Sequence, residues 1–175
     1  MTKLQVRQTA LSQIKSFERP PINWQPLIDW LVQYENVGMY QPLASEFNLS
    51  VIHEKLIQHN VEVSYPSIRD GQMVMIGWQD QQDFITKDGF MQPQSGDIIV
   101  PDILVCPLLA INQQGYRLGR GGGYYDRYLA AHTLQCFGIA YDWQQTFSFS
   151  PDVWDMPLDG CFFVDKNGII TQKNY

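Results

Sequence analysis

Residues 97–107 read Asp97-Ile98-Ile99-Val100-Pro101-Asp102-Ile103-Leu104-Val105-Cys106-Pro107. A strand with one wet face alternates apolar and polar residues. This near-continuous apolar run instead fits a strand covered on both faces, as in a parallel sheet. Helix-like and strand-like segments alternate on either side of it, which argues an α/β fold with a mainly parallel sheet. Such sheets bind ligands beyond the carboxyl ends of their strands.

Downstream the chain reads Gly115-Tyr116-Arg117-Leu118-Gly119-Arg120-Gly121-Gly122-Gly123-Tyr124-Tyr125-Asp126-Arg127-Tyr128-Leu129. Glycine has no Cβ, so backbone N–H groups can turn inward and a ligand can come close. Tyr124, Tyr125, Tyr128 and Leu129 recur at helical spacing. A glycine loop entering a helix offers unpaired amides and the positive end of the helix dipole, which suits phosphate. Arg117, Arg120 and Arg127 outweigh Asp126. A basic, glycine-lined pocket is therefore expected on a chain of net charge −6, which favours a small anion over a polymer. A flexible surface turn is the plain alternative, but it needs neither consecutive glycines nor arginines. The loop is not a P-loop, because no Lys-Ser or Lys-Thr follows. Nor is it the dinucleotide fingerprint, because Tyr124 stands where the last glycine belongs.

At 175 residues the chain is expected to form one domain, residues 1–175. Hydrophobic residues make up 45%, ordinary for a globular protein. The acidic balance argues against nucleic acid or an anionic membrane as partner. No apolar run reaches the roughly 18 residues of a membrane helix. The polar, helix-patterned N-terminus is unlike a secretory signal, so a cytoplasmic protein is expected. Cys106, Cys136 and Cys161 lie apart in apolar segments and read as buried free thiols. His53, His59 and His132 lack the spacing of metal ligands.

The periodicity predicts a helix over residues 3–17, with Leu4, Leu11, Ile14 and Phe17 on one face. Lys3 and Arg7, four apart, share another face. A short helix follows over residues 26–35, then a buried strand over residues 37–41. Asn48 is a plausible N-cap for a helix carrying Leu49, Ile52, Leu56 and Ile57. Residues 61–65 read as a strand closed by Pro66, and residues 72–78 as another. Asp80–Asp83 is a turn. Residues 136–141 and 161–164 are the last main strands, followed by a turn at Asp165–Gly168.

The segment Arg117–Leu129 resembles the signature of the 5-formyltetrahydrofolate cyclo-ligase family, and the resemblance extends over nearly the whole chain. It implies a three-layer α/β/α sandwich in which residues 97–107 form the long central strand. Lys3-Leu-Gln-Val-Arg7 is similar to the family's N-terminal helix, whose two cations contact nucleotide phosphates. No arginine follows a turn or two later, where the family usually has one; Lys15 is the only cation there. Tyr40–Asn48 resembles the family's strand, proline and acidic turn. By that match Glu46 hydrogen-bonds the pterin, although an acidic residue favoured at a helix start explains it equally well. Gln41 falls where the family has an apolar substrate-lining residue. Gly89-Phe-Met-Gln-Pro93 departs from the family's Gly-Ile-x-Glu-Pro at Gln92. In Pro151–Asp159, Trp154 stands in the place of a histidine while Asp155 is kept. Asp102 reads as structural or as near the site.

The resemblance implies ATP- and Mg²⁺-dependent cyclisation of 5-formyltetrahydrofolate to 5,10-methenyltetrahydrofolate, with release of ADP and phosphate. Lys3, Arg7, Arg117 and Arg120 would hold phosphates, with the backbone from Leu118 through Gly119, Gly121, Gly122 and Gly123 to Tyr124. Arg120 and Tyr124 are the catalytic candidates. Tyr124 and Tyr125 would line the rings of nucleotide or folate. Gln41, Glu46, Arg120, Gly121, Gly122, Gly123 and Tyr124 would meet the folate, and Asp126 and Asp155 the Mg²⁺. Packing, capping or solvation explains each tyrosine and aspartate taken alone. A monomer or weak dimer is expected. Two other readings stay open: a nucleotide-binding homologue that has lost catalysis and acts as a sensor or partner, and a phosphate-transfer enzyme with another acceptor.

Overall fold

The structure is a computed structural model that describes every residue except Gln81, Thr146 and Ser148. The turn expected at Asp80–Asp83 thus lies partly outside the described residues. Helix α1 (Lys3–Ser16) and helix α2 (Gln25–Leu31) precede strand β1 (Asn36–Gly38) and helix α3 (Ser50–Gln58). Strands β2 (Glu62–Arg69), β3 (Gln72–Gly77), β4 (Phe84–Lys87), β5 (Phe90–Pro93), β6 (Ile98–Ile99), β7 (Ile103–Cys106), β8 (Ala110–Ile111) and β9 (Arg117–Leu118) follow. Helix α4 (Tyr124–Ala131) leads into β10 (Gln135–Tyr141), β11 (Gly160–Val164) and β12 (Ile170–Asn174).

The main sheet runs β12-β11-β10-β7-β1-β2-β3-β6. Its centre, from β11 to β2, is wholly parallel, and β12, β3 and β6 join antiparallel at the edges. The parallel strands, counted in chain order, lie 2-1-3-4-5, so the winding reverses between β1 and β7. Strand side chains alternate between two cores. Ile103, Val105, Phe137, Ile139, Phe162 and Val164 pack with α2 and α3 on one face. Leu104, Cys106, Cys136, Ala140, Cys161 and Phe163 pack with α4 on the other. This is the expected α/β/α layering, and it explains why β7 and β11 show no alternation in sequence: both their faces are covered.

The 97–107 run is not one strand. Pro101 and Asp102 split it into β6, at one edge of the sheet, and β7, at its centre. The Asp102 carboxylate accepts from Asn36 N at 2.9 Å, so it secures the start of β1, at the end of the strands away from their carboxyl termini. Pro66 does not close β2 but sits inside it, opposite Met75. The pairing of β2 with β1 ends at Gly38–Ser64, so a proline beyond that point costs no bond on that side. Helix α2 stops at Leu31, and β1 begins one residue earlier than expected. Asn48 lies two residues before α3 and accepts from Ser50 N at 3.0 Å. Strand β12 is a further strand after β11.

Helix α1 corrects the sequence reading most usefully. Its buried residues are Val6, Ala10 and Ile14, whereas Leu4 is 61% exposed. Lys3 and Arg7 lie on the same stripe as Ala10 and Ile14, so the cations share the inward face. Val6 packs with Ala110 and Leu118 of the β8–β9 hairpin and with Phe149. That contact aims the start of α1 at the carboxyl ends of the strands. Among the described residues, no helix is long and apolar enough to cross a membrane.

Candidate active site

A cavity of about 390 Å³ opens where the winding reverses, the place at which open α/β sheets bind ligands. Tyr40, Gln41, Leu43 and Glu46 follow β1 into its wall, and Pro107, Leu108 and Leu109 follow β7. The rest of the wall comes from α1, the β8–β9 hairpin, the glycine loop with the start of α4, Asp152, Trp154 and Asp155, and from Pro66, Met73 and Phe90 of β2, β3 and β5. Every residue singled out in the sequence for nucleotide, folate or metal lines this one cavity: Lys3, Arg7, Gln41, Glu46, Arg117, Leu118, Gly119, Arg120, Gly121, Gly122, Gly123, Tyr124, Tyr125, Asp126 and Asp155.

The glycine loop turns as the sequence suggested. Gly121 and Gly123 have φ of +105° and +66°, a region that disfavours residues with a Cβ. Gly123 is the N-cap of α4, with no side-chain cap bond, so amides at that helix start remain for a ligand. Arg7 crosses from α1 and donates from Nε to Gly119 O at 2.8 Å.

The pocket is not basic, as the local charge count implied. Four cations, Lys3, Arg7, Arg117 and Arg120, face four acids, Glu46, Asp126, Asp152 and Asp155. The count along the motif missed acids supplied by other segments. Lys3 Nζ donates to Asp152 at 2.7 Å and also to Asp155. Burial pulls the Lys3 pKa down, but its bonds to the two carboxylates prevail and hold it above the usual lysine value. Arg117 is buried and pairs with Asp126 at 3.2 Å. That contact is not aligned as a hydrogen bond, and Nε and Nη2 make none. The Asp126 carboxylate also accepts from Met156 N at 3.2 Å. Arg120 donates to Ser45 Oγ and lies 3.5 Å from Glu46.

At the other end the wall is apolar, with Pro66, Met73, Phe90 and Leu108 beside Tyr40 and Tyr125. Burial pushes both phenols far above the usual tyrosine value, so they act as neutral rings. Glu46 stands between the two ends; its second oxygen accepts from Leu43 N at 2.8 Å. Arg19 was not singled out in the sequence. It donates to the carbonyls of Ala44 and Glu46 and fixes that turn. Asp152 was also missed, because its partner Lys3 lies 149 positions away.

Gln92 does not face the cavity. It is 1% exposed. Its Oε1 accepts from Ile68 N at 2.7 Å and its Nε2 donates to Lys87 O at 2.8 Å. It pins the β4–β5 hairpin to β2. Trp154 lies at the cavity mouth and is 67% exposed. The carboxylates of Asp152 and Asp155 converge on one positive atom, Lys3 Nζ, and Asp126 lies in the same wall. Among the described residues no three such side chains assemble into a metal site of their own; one or two carboxylates suit a hard divalent cation such as Mg²⁺ only where phosphates and water complete its oxygen shell.

Comparisons with known proteins identify the family and the fold. The model of the 5-formyltetrahydrofolate cyclo-ligase family matches residues 26–163. A 5-formyltetrahydrofolate cyclo-ligase of Mycoplasma pneumoniae is 33% identical over 161 residues, covering 87% of this chain and 89% of that one. That of Escherichia coli K12 is 26% identical over 140 residues, covering 73% and 77%. In overall fold the chain is similar to two solved 5,10-methenyltetrahydrofolate synthetases. One, from Mycoplasma pneumoniae, has a TM-score of 0.72 at 24% identity and covers 97% of this chain and 100% of that chain. The other, from Aquifex aeolicus, has a TM-score of 0.76 at 22% identity and covers 97% and 92%.

Proposed function

The chain belongs to the 5-formyltetrahydrofolate cyclo-ligase family, and from that premise we propose that it converts 5-formyltetrahydrofolate and ATP into 5,10-methenyltetrahydrofolate, ADP and phosphate. One observation carries the reading: a single cavity joins a glycine loop and four cations to an apolar, ring-lined end, with Glu46 between them. A triphosphate suits the first end and a reduced pterin the second.

The formyl oxygen on N5 attacks the γ-phosphorus as the bond to the ADP oxygen breaks. N10 then adds to the activated formyl carbon and loses its proton. The C–O bond breaks with its electrons on phosphate, which leaves the cyclic amidinium product. An amide oxygen leaves poorly and its phosphate leaves well, so the protein's work is positioning and charge neutralisation. Arg7, Arg117 and Arg120 hold phosphate oxygens together with the loop amides. Lys3 joins them once it leaves its acids. Arg120 reaches the transferring group because it lies between loop and folate end, next to Glu46. Tyr124 packs against the reacting portion of the folate, and Gln41 lines its pocket. Glu46 accepts from the pterin amino and ring N–H groups, and a carboxylate makes strong bonds to such donors. Asp126 and Asp155 hold Mg²⁺, which when bound neutralises charge on the phosphate oxygens.

A homologue without catalysis draws less support once Gln92 is seen to face the scaffold. Mixing protein, 5-formyltetrahydrofolate, ATP and Mg²⁺ should raise the absorbance of methenyltetrahydrofolate, and leaving out ATP should abolish the rise. ATP binding without product from any reduced folate would reject the activity.

A further inference from the structure

The β4–β5 hairpin forms a two-stranded sheet apart from the main one, and such a pair alone is marginally stable in water. Its place therefore depends on what ties it to β2. Its base is tied by Phe84, whose ring centre lies 5.7 Å from that of Tyr65, and by Arg69, which donates to Pro93 O and Gln94 O. Gln92 reaches further along the hairpin. Its Oε1 accepts from Ile68 N at 2.7 Å and lies 3.2 Å from Ser67 Oγ. Ser64 O faces β1, where it accepts from Met39 N, and Ile68, an even number of residues on, turns its N–H to the same side. The pairing of β1 with β2 has ended by then, so without Gln92 a buried backbone donor would stand open. The Gln92 Nε2 donates to Lys87 O at 2.8 Å, and Lys87 is the residue paired with Phe90. Phe90 and Gln92 lie two apart on β5, so their side chains share one face, while Met91 between them is 50% exposed. Phe90 lines the apolar end of the cavity and packs on the core that contains Ile68 and Met73. Met73 lines the same end and is the residue paired with Ile68. One buried amide thus ties the backbone beside Met73 to the backbone beside Phe90.

From this juxtaposition we infer that Gln92, itself outside the cavity, is a positioning residue: it sets Phe90 against Met73 and so fixes the wall that receives the rings of the reduced folate. The inference rests on the proposed binding of folate at that end and adds the residue that holds the end in shape. Both halves of the amide are used, the oxygen for a donor on β2 and the NH2 for an acceptor on β4. An ionised carboxylate supplies only the first. Of residues 84–93 only Phe90 lines the cavity, so the effect of Gln92 passes through that ring. It falls on the folate and leaves the nucleotide, at the glycine loop, untouched.

A double-mutant cycle read by calorimetric titration of 5-formyltetrahydrofolate, with and without MgCl2 and a non-hydrolysable ATP analogue, tests this without turnover. Phe90→Ala should weaken folate binding about tenfold, the size of one ring contact. Gln92→Met, which keeps the volume and removes both hydrogen bonds, should weaken it at least about fivefold, within the range for residues that act through one another. Added to Phe90→Ala, the same change should cost less than about a further twofold, because the ring it places is gone. Affinity for the ATP analogue should stay within about twofold throughout. In the absorbance assay the KM for the folate should rise while the KM for ATP holds, a split that a general loss of structure would not produce. Gln92→Glu, which keeps the acceptor for Ile68 N and loses the donor to Lys87 O, repeats the cycle if Gln92→Met folds poorly, with circular dichroism verifying each variant. Losses that multiply in the double variant, unaltered folate affinity in the Gln92 variants, or an equal loss of affinity for the ATP analogue would overturn the inference. If the unaltered protein binds no reduced folate, the folate reading falls and this inference with it. Folate binding without turnover would reject the proposed activity alone, and the cycle would still decide the part of Gln92.

Discussion

The two loops that close the ionic end of the cavity are built in opposite ways. Gly119–Gly123 takes its turns from its own glycines, with Gly121 and Gly123 at positive φ and α4 beginning at the next position, and Arg7 only steadies it from outside at Gly119 O. The loop around Asp152–Asp155 takes its place from distant partners. Lys3 grips its two acids, Asp126 accepts from Met156 N, and Tyr116 pairs with Pro157. The wall suited to phosphate is thus written in consecutive residues, and the wall suited to metal is assembled by the fold.

The sharpest way to break this comparison is Arg120→Ala. Its side chain is 44% exposed, so the fold should survive while turnover falls by about 10³-fold, as for other arginines that neutralise a transferring phosphoryl group. Unchanged turnover in the absorbance assay would mean that the glycine loop is not the phosphate wall. Gln92→Glu extends the comparison to the hairpin, another element held from a distance. It removes the donor to Lys87 O and buries a carboxylate, so urea denaturation at pH 7 should show a loss of about 1–3 kcal/mol. Burial raises the pKa of the new carboxyl in the folded state. Its stability deficit should therefore shrink as pH falls and grow as pH rises through that value. Gly121→Ala probes the locally built loop. The space beside it is open except for the Arg7 guanidinium at 3.6 Å, so the backbone alone should cost about 1–2 kcal/mol. Val153→Ala, at a side chain 97% exposed, should leave stability unchanged within roughly 0.5 kcal/mol. The smallest effect concerns the thiols. Burial pushes Cys136 up to about 12 and the other two cysteines higher still. A thiol reagent at pH 8 should thus label the native protein very slowly and all three sites after unfolding.

The same division decides what could be read beforehand. The glycine loop, the helix after it, the two-faced strands and the buried cysteines follow from neighbours in sequence. The split of 97–107 at Pro101 does not, since its halves pair with β3 at one edge and with β1 and β10 at the centre. The inward face of α1 was misread because Leu4 and Leu11 look like core, whereas the packing of Val6 on the β8–β9 hairpin turns Lys3 and Arg7 inward. The neutrality of the cavity and the part of Asp152 were hidden for a similar reason: each depends on pairs far apart along the chain. Gln92 drew attention as a departure from a motif. Its burial, which decides its role, is set by the contact of β5 with β2.

The most direct measurement is a crystal structure with Mg²⁺ and a non-hydrolysable ATP analogue. Phosphate oxygens should lie about 3 Å from loop amides between Gly121 and Tyr124, with Lys3 moved from Asp155 onto the phosphates. A triphosphate seated elsewhere, with those amides facing solvent, would contradict the account.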